Sequence, residues 1–332
     1  MIEDSARGRK TGWFTLQWHL THACDMDCKH CYDRRRLSVL RLDEAMRVLD
    51  EVQAFCEKRG VEPSMSLSGG NPFLYPWFFD VYEEVVKRGM HVNILGNPVA
   101  EEQIERLVSI KVPRYYQISL EGLREHNDEI RGEGSFDRAL AFLPILKKHG
   151  IRRIVMLTLT KANLDQVIPL GELLQGKADR FTFNRLSQTG EGANLELPDI
   201  ETYGRFMIDY MAAKKRTPVL GFKDNLFNIY RHELGMKLQG GCTGFGCGAA
   251  FNFVCLLPDG DVHACRKLPS ALGNVRESSL EAIYESQMAD RYRAGCEDCK
   301  GCPIFDKCGG CLAVTAGQGG DRFKERDPHC FI

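Results

Sequence analysis

The sequence predicts an α/β fold: a partial (β/α)6 barrel followed by a small cysteine-rich C-terminal domain. Three observations lead there. Six strand-like runs alternate with helical patterns between about residue 14 and residue 190, the signature of parallel strands joined by right-handed crossovers. Six units suit a partial or open barrel better than a closed eightfold one. From Cys242 onward the texture changes to glycine, cysteine and short β-type pieces. The chain of 332 residues is longer than one small domain needs, and its 43% apolar content can fill a large core.

The first strand is "WFTLQWHL". "DEAMRVLDEVQAFCEKRG" is an amphipathic helix with Asp43 as expected N-cap and Gly60 as stop. "SMSLSGG" is a strand ending in glycines, "WFFDVYEEVVKRG" a helix and "HVNILGN" a strand. "AEEQIERLVSI" is a helix and "YYQISLEG" the fourth strand. "SFDRALAFLPILKKHG" is a helix, "RRIVMLTLT" a strand, "ANLDQVIPLGELLQG" a helix and "RFTFNRLS" the sixth strand. "TGEGANLELPD" reads as a connector and "ETYGRFMIDYMAAKK" as one more helix. "FNFVCLLPDGDVHACRK" reads as two short strands around a Pro-Asp-Gly-Asp turn. The expected organisation is an arm over residues 1–12, the barrel over 13–190, a connector with a helix over 191–240 and the cysteine-rich domain over 241–332.

The net charge of −1 gives no general attraction to nucleic acid or to an acidic membrane. The short basic run "DRRRLSVLR" is expected to be a solvated loop. No segment has signal-peptide character, and no run reaches the roughly 18 apolar residues of a membrane span. A cytoplasmic location is expected. Fourteen cysteines suggest metal binding there, because cytosolic thiols stay reduced. Three lie near the start, one is Cys56, and ten fall in the last 91 residues, which makes two metal regions rather than a spread disulfide framework.

In "THACDMDCKHCYD", Cys24, Cys28 and Cys31 follow the first strand. Active groups on a β/α barrel gather at the C-terminal strand ends. Gly69 and Gly70 end the second strand, Asn97 the third, and Ser119 and Glu121 the fourth, so residues far apart in sequence are expected to ring one rim. Structural zinc and most iron–sulfur clusters take four protein ligands. Three thiols leave one position open to a small molecule, unless His22 or His30 completes a zinc site.

The C-x3-C-x2-C spacing with aromatic Tyr32 next resembles the cluster loop of radical S-adenosylmethionine (SAM) enzymes. That resemblance implies that the three thiolates hold a [4Fe–4S] cluster whose fourth iron is chelated by SAM. An electron from the cluster then cleaves SAM to a 5′-deoxyadenosyl radical, which abstracts hydrogen from substrate. "SLSGGNPFLYP" resembles the family's Gly-Gly-Glu-Pro-like motif, where backbone meets the SAM amino group. Asn71 stands here for the usual glutamate, before Pro72. "ISLEGLREHNDEIRGEGSFDRAL" resembles the fourth-strand segment. By that likeness Ser119 and Glu121 face the ribose, Arg131 meets a carboxylate of SAM or of substrate, and Asn97 belongs to the SAM site unless it is only a turn residue. Arg131 could equally pair with Glu129 or Glu133.

"CTGFGCGAAFNFVCLLPDGDVHAC" and "CEDCKGCPIFDKCGGC", with late Cys330, resemble the SPASM extension of peptide-modifying radical SAM enzymes. The resemblance implies two auxiliary [4Fe–4S] clusters, one on Cys242, Cys247, Cys265 and Cys311, the other on Cys299, Cys302, Cys308 and Cys330. Cys308 and Cys311 are two residues apart where the family usually has three. Cys255 and Cys56 are expected to be buried thiols, and Cys296 to be a spare for Cys299. Taken alone, these pairs would serve zinc ribbons as well.

By resemblance the substrate is a ribosomally made precursor peptide, altered at or near a cysteine, with a flavodoxin or ferredoxin as electron donor. "CRKLPSALGN" resembles the thio(seleno)oxazole peptide maturases. With a dozen residues before the first strand, leader recognition is expected from a separate protein or the barrel surface. Arg266 stands where the sulfatase-maturing group has a catalytic aspartate, which argues against that activity. Other readings are a radical SAM enzyme of small metabolites, an iron–sulfur carrier and a zinc-ribbon interaction protein. The cysteine-rich domain is expected beside the barrel mouth, with a substrate cleft between them.

Overall fold

The computed structural model describes residues 1–34 and 38–332. The basic run over 33–41 therefore lies partly outside the described residues. A hairpin of β1 (Ile2–Asp4) and β2 (Arg9–Thr11) precedes the barrel. Six parallel strands follow in spatial order: β3 (Trp13–Thr21), β4 (Glu62–Gly69), β5 (His91–Leu95), β6 (Tyr116–Ser119), β7 (Arg153–Leu159) and β8 (Arg180–Arg185). The crossover helices are α1 (Leu42–Arg59), α2 (Phe78–Lys87), α3 (Glu101–Ile110), α4 (Arg124–Arg131) with α5 (Ser135–Lys148), and α6 (Val167–Leu174). Beyond β8 come α7 (Ile200–Arg216) and α8 (Phe227–Glu233).

The sheet is open, and it continues past its first barrel strand. β9 (Phe253–Leu256) runs parallel beside β3, with Thr15 opposite Phe253 and Trp18 opposite Leu256. Antiparallel β10 (Asp261–His263) and β11 (Ala271–Asn274) complete nine strands. The cysteine-rich region is thus joined to the barrel by main-chain hydrogen bonds. It ends in short helices α9 (Leu280–Tyr284), α10 (Gln287–Ala294) and α11 (Leu312–Gly317).

Helix α1 stops at Gly60 as expected, in a left-handed turn with φ 58° whose N–H meets the carbonyls of Cys56 and Glu57. Its start differs from expectation. Arg41 occupies the N-cap, and its N–H donates to Glu44 Oε2 at 2.8 Å. Asp43 lies inside the first turn, where its charge favours the helix dipole instead.

The strands alternate in polarity, although both faces are buried. Phe14, Leu16, Trp18 and Leu20 enter the core, where Phe14 meets Phe55 of α1. Thr15, Gln17, His19 and Thr21 point to the other, inner face. Ser66 and Ser68 of β4 and Gln117 and Ser119 of β6 do the same. A parallel sheet covered on both sides is ordinarily apolar on both. A polar inner face marks a lumen built to hold something polar.

The C-terminal region is clamped at two places. Arg9 pairs with Asp4 with both side chains buried, and its guanidinium donates to the carbonyls of Phe245 (2.9 Å) and Cys247 (2.5 Å). On α9, Glu281 accepts from Arg59 and from Lys58 of α1. The hydrogen bond from Arg59 holds the Glu281 carboxyl down at about 2. Because its folded value is depressed, its contribution is present above the ordinary carboxylate range and is lost as pH falls toward 2. Glu281→Gln is therefore expected to lower the melting temperature slightly at pH 7. The two melting curves should converge near pH 2–3, as followed by circular dichroism; a gap that is constant across that range would refute the linkage.

Candidate active site

Two cavities lie end to end inside the barrel. The larger, of 770 Å³, opens at the C-terminal strand ends, and Cys24, Cys28 and Cys31 are in its wall. Gly69, Gly70, Asn97, Ser119 and Arg131 line it too, as does Tyr32. The smaller, of 240 Å³, lies at the level of Thr15, Gln17 and Ser66, toward the N-terminal strand ends. Cys242, Cys247, Cys265 and Cys311 share its wall. The two cavities have Leu95, Gln117, Asn184, Arg185, Arg266 and Lys267 in common.

This arrangement corrects one expectation. The first C-terminal cysteine set is not beside the barrel mouth. β10 runs antiparallel to β9 and so carries the chain back from the mouth, delivering Cys265 to the lower half of the lumen. The space between the two cysteine sets is the barrel interior itself.

The cysteine loop is held from below. The N–H groups of Gly70 and Asn71 donate to the carbonyls of Thr21 and Ala23, both at 2.8 Å. A Cβ on Gly70 would sit well inside van der Waals contact with the Ala23 carbonyl, and Gly69 has φ 137°, which other residues rarely adopt. Gly70→Ala is expected to displace the loop and cut turnover at least tenfold, read as 5′-deoxyadenosine formed. Wild-type turnover would mean that the close approach has no role. Asn71 is buried; its Nδ2 donates to Asp25 Oδ1 at 3.2 Å, and its Oδ1 accepts from Phe73 N–H. Pro72 lies against Gly96. Both stand behind the wall.

A polar chain ties the rim together. Asn97 Nδ2 donates to Asp25 Oδ1 at 2.6 Å and to Cys24 Sγ at 3.5 Å. Arg131 donates to Asn97 Oδ1 at 3.2 Å and to Glu121 Oε1 at 3.3 Å. The partner of Arg131 is thus Glu121, not Glu129 or Glu133; Glu129 meets Lys29 instead. Glu121 is fully occupied behind the wall. Its Oε1 also meets His30 Nε2 at 3.2 Å, and its Oε2 accepts from Thr158 N–H at 2.7 Å. Burial alone would raise this carboxyl, but His30 and Arg131 outweigh it and keep it ionised. Ser119 is the member of the fourth-strand pair that reaches the cleft.

Burial pushes the Cys28 thiol up to about 11 and raises Cys31 as well. Such thiols ionise when a metal takes the proton's place. Tyr32 donates toward His19 Nε2 at 3.2 Å, and burial pushes His19 down to about 3, so that it stays neutral. His22 and His30 each leave a buried Nδ1 without a hydrogen-bond partner on the wall of the cleft, as Ser68 leaves its Oγ. These orphaned groups, with three thiols, fit a polar ligand on a metal group.

The second C-terminal set, Cys299, Cys302, Cys308 and Cys330, lines a void of 20 Å³. Burial raises Cys265 and Cys308 to about 12 each. Cys296 is buried and hydrogen-bonds Cys299; Cys56 is buried in α1, and Cys255 is buried on β9, where the thiol of Cys265 is among its neighbours. Thiols on one tetrahedral zinc stand about 3.8 Å apart, from Zn–S bonds of about 2.3 Å. Among the described residues, the group whose ligand atoms lie within 4.8 Å of one another is Glu101, Glu105 and His149. The cysteine sets are spread more widely, with or without His22 and His30, and suit a cluster better than one ion.

Residues 18–174 match the radical SAM superfamily, and residues 247–311 match the SPASM iron–sulfur cluster-binding domain. The chain is therefore a radical SAM enzyme. Within that class it is one of those with a C-terminal SPASM domain, and its cofactors are iron–sulfur clusters and SAM. It is 28% identical to an AdoMet-dependent heme synthase of Methanosarcina barkeri, over 95% of each chain. It is 28% identical to the mycofactocin maturase MftC of Mycolicibacterium smegmatis, over 95% of this chain and 81% of that one. Crystal structures of Streptococcus suis SuiB, bound to S-adenosylmethionine or to the precursor peptide SuiA, share the fold with TM-scores of 0.73 at 19% identity, over 96% of this chain. No helix among the described residues is long and apolar enough to cross a membrane.

The network of Glu121, His30 and Arg131, the orphaned histidines and the polar lumen were not anticipated. The lumen had a signal in "TLQWHLT" and "SMSLSG", where polar residues recur at every second position of strands that should be buried on both sides.

Proposed function

We propose that this enzyme modifies a ribosomally made peptide by hydrogen abstraction. Cys24, Cys28 and Cys31 hold the catalytic [4Fe–4S] cluster. Asn97, Ser119, Arg131 and the Gly69–Gly70 backbone form the SAM site, with Asn71, Pro72 and Glu121 fixing those groups from behind and Tyr32 packing beside them. Cys242, Cys247, Cys265 and Cys311 hold one auxiliary cluster, and Cys299, Cys302, Cys308 and Cys330 the other. Bound there, the cofactors supply one-electron cleavage and hydrogen abstraction. The chain's own residues position, exclude water and carry charge. Arg131 and Asn97 orient the cysteine loop, and the His30–Glu121 pair fixes Arg131.

The observation that carries this reading is the pair of adjoining cavities, 770 and 240 Å³, that share a wall between the two cysteine sets and offer room for an extended segment. The maturase MftC and the peptide-bound SuiB support a peptide substrate. A flavodoxin or ferredoxin supplies electrons in the reducing cytoplasm, and a separate protein presents the leader; the modified residue is at or near a cysteine. The test is mass spectrometry of the peptide encoded beside this gene, after reaction with enzyme, SAM and reductant. Loss of hydrogens coupled to 5′-deoxyadenosine is expected. If no peptide changes mass, the reading is lost.

A second reading has its own support. The heme synthase match covers 95% of both chains. Turnover of an iron porphyrin in proportion to SAM cleavage would favour it.

A further inference from the structure

Arg266 lies in the wall that the two cavities share. Its neighbours differ from those of the nearby lysines. Lys267 stands by the thiols of Cys265 and Cys311, and Lys223 by that of Cys242, where each offsets thiolate charge. Arg266 stands near His19, Tyr32, Tyr115 and the buried Cys255 thiol, between the cysteine loop and the lower lumen. Among the described residues no hydrogen bond or ion pair is recorded for its guanidinium. Arg266 is half-buried, and its guanidinium offers the cavity up to five donors.

A second donor in the same cavity is also unsatisfied. Gln17 is 9% exposed, lines the smaller cavity, and its Nε2 has no partner. The carboxylate in that wall, Asp224, is already committed. Its Oδ2 accepts from Arg185 Nε at 2.8 Å and its Oδ1 from Leu226 N–H at 2.9 Å. Around these donors the wall is apolar and aromatic, with Trp13, Tyr115, Leu95 and Phe253.

We propose that this cavity is a carboxylate subsite: Arg266 and Gln17 receive a free carboxylate of the substrate, carried on an apolar or aromatic body. The planar guanidinium suits bidentate carboxylate binding, and the amide adds a third donor. The substrate is thereby anchored at one end while its reacting carbon faces the cysteine loop. The inference rests on the radical reaction occurring at that loop; peptides and tetrapyrroles both offer such a carboxylate.

The test uses cluster-loaded, SAM-bound enzyme and isothermal titration with two pairs of probes. N-acetyl-phenylalanine against its amide represents a peptide end. Coproporphyrin III against its tetramethyl ester represents a tetrapyrrole acid. The acid is expected to bind at least tenfold more tightly in one pair. Arg266→Gln should abolish that preference, Arg266→Lys should keep part of it, and Gln17→Leu should weaken it without touching a cysteine's neighbour. Lys147→Gln, a distant surface cation, should leave it unchanged. No acid preference in either pair, or a preference that survives Arg266→Gln and Gln17→Leu, overturns the subsite and leaves the peptide reading standing. Preference in the porphyrin pair alone upholds the subsite and counts against the peptide reading.

Discussion

Replacing Cys24, Cys28 and Cys31 together by alanine is expected to abolish formation of 5′-deoxyadenosine from SAM. Iron content should fall from about twelve to about eight atoms per chain, because one four-iron cluster of three is lost. The reason is separation. The three thiols line the large cleft at the strand ends, whereas both C-terminal sets are held elsewhere, one in the lower lumen and one around a small void. The C-terminal sets keep their own supports in the variant, including the Arg9 contact to the Cys247 carbonyl. Anaerobic iron analysis and product chromatography decide the matter. Reductive SAM cleavage at the wild-type rate would show that the loop has been misassigned. Loss of nearly all iron would show that the three sites load as one.

The second large effect is expected from Arg185→Met. Arg185 ends β8 with 1% of its side chain exposed. Its guanidinium donates to Asp224 Oδ2 at 2.8 Å and to both oxygens of Asp327 at 2.6 Å, and it meets His329 Nδ1 at 3.1 Å. Burial disfavours the Asp327 carboxylate, but Arg185 overcomes it and holds that group below its ordinary range. Removing the cation strands two buried carboxylates, a change that typically costs about 3–5 kcal/mol. The damage extends to the metal region, because Asp327 Oδ2 also accepts from Cys311 N–H at 2.8 Å. The variant should unfold at clearly lower denaturant and load less iron. Adding Asp224→Asn should recover part of the loss, since it removes one stranded charge. A variant within about 1 kcal/mol of wild type would show that the cluster of charges is relaxed by water.

Much of this architecture was legible because it is written in short periods. The barrel strands and helices follow local alternation, and the sixth strand, "RFTFNRLS", became β8. The cysteine sets were legible because metal sites demand dense spacing. Sparse signals were harder. Arg185, Asp224 and Asp327 are single charges up to 142 residues apart, and no window contains them together. The link of Glu121 to His30 and Arg131 forms only once β6 and the cysteine loop share a rim. Helix α4 (Arg124–Arg131) was not anticipated, because a single aliphatic residue, Ile130, gives it no apolar period. The place of β9 depends on a pairing that nothing local specifies.

That pairing bears on how the chain is made. β3 is complete after residue 21, yet the neighbour on one of its flanks begins at Phe253. At about 5–20 residues per second, a ribosome takes roughly 12–46 seconds to cover that interval. Throughout it, one edge of a long strand with one apolar face offers unpaired peptide groups to any other nascent chain. The N-terminal hairpin waits as long for the Cys247 carbonyl. Truncated products should therefore aggregate, and the yield of soluble protein should rise with chaperone supply. The late-arriving strand makes the completeness of the message a condition for the first strand's safety.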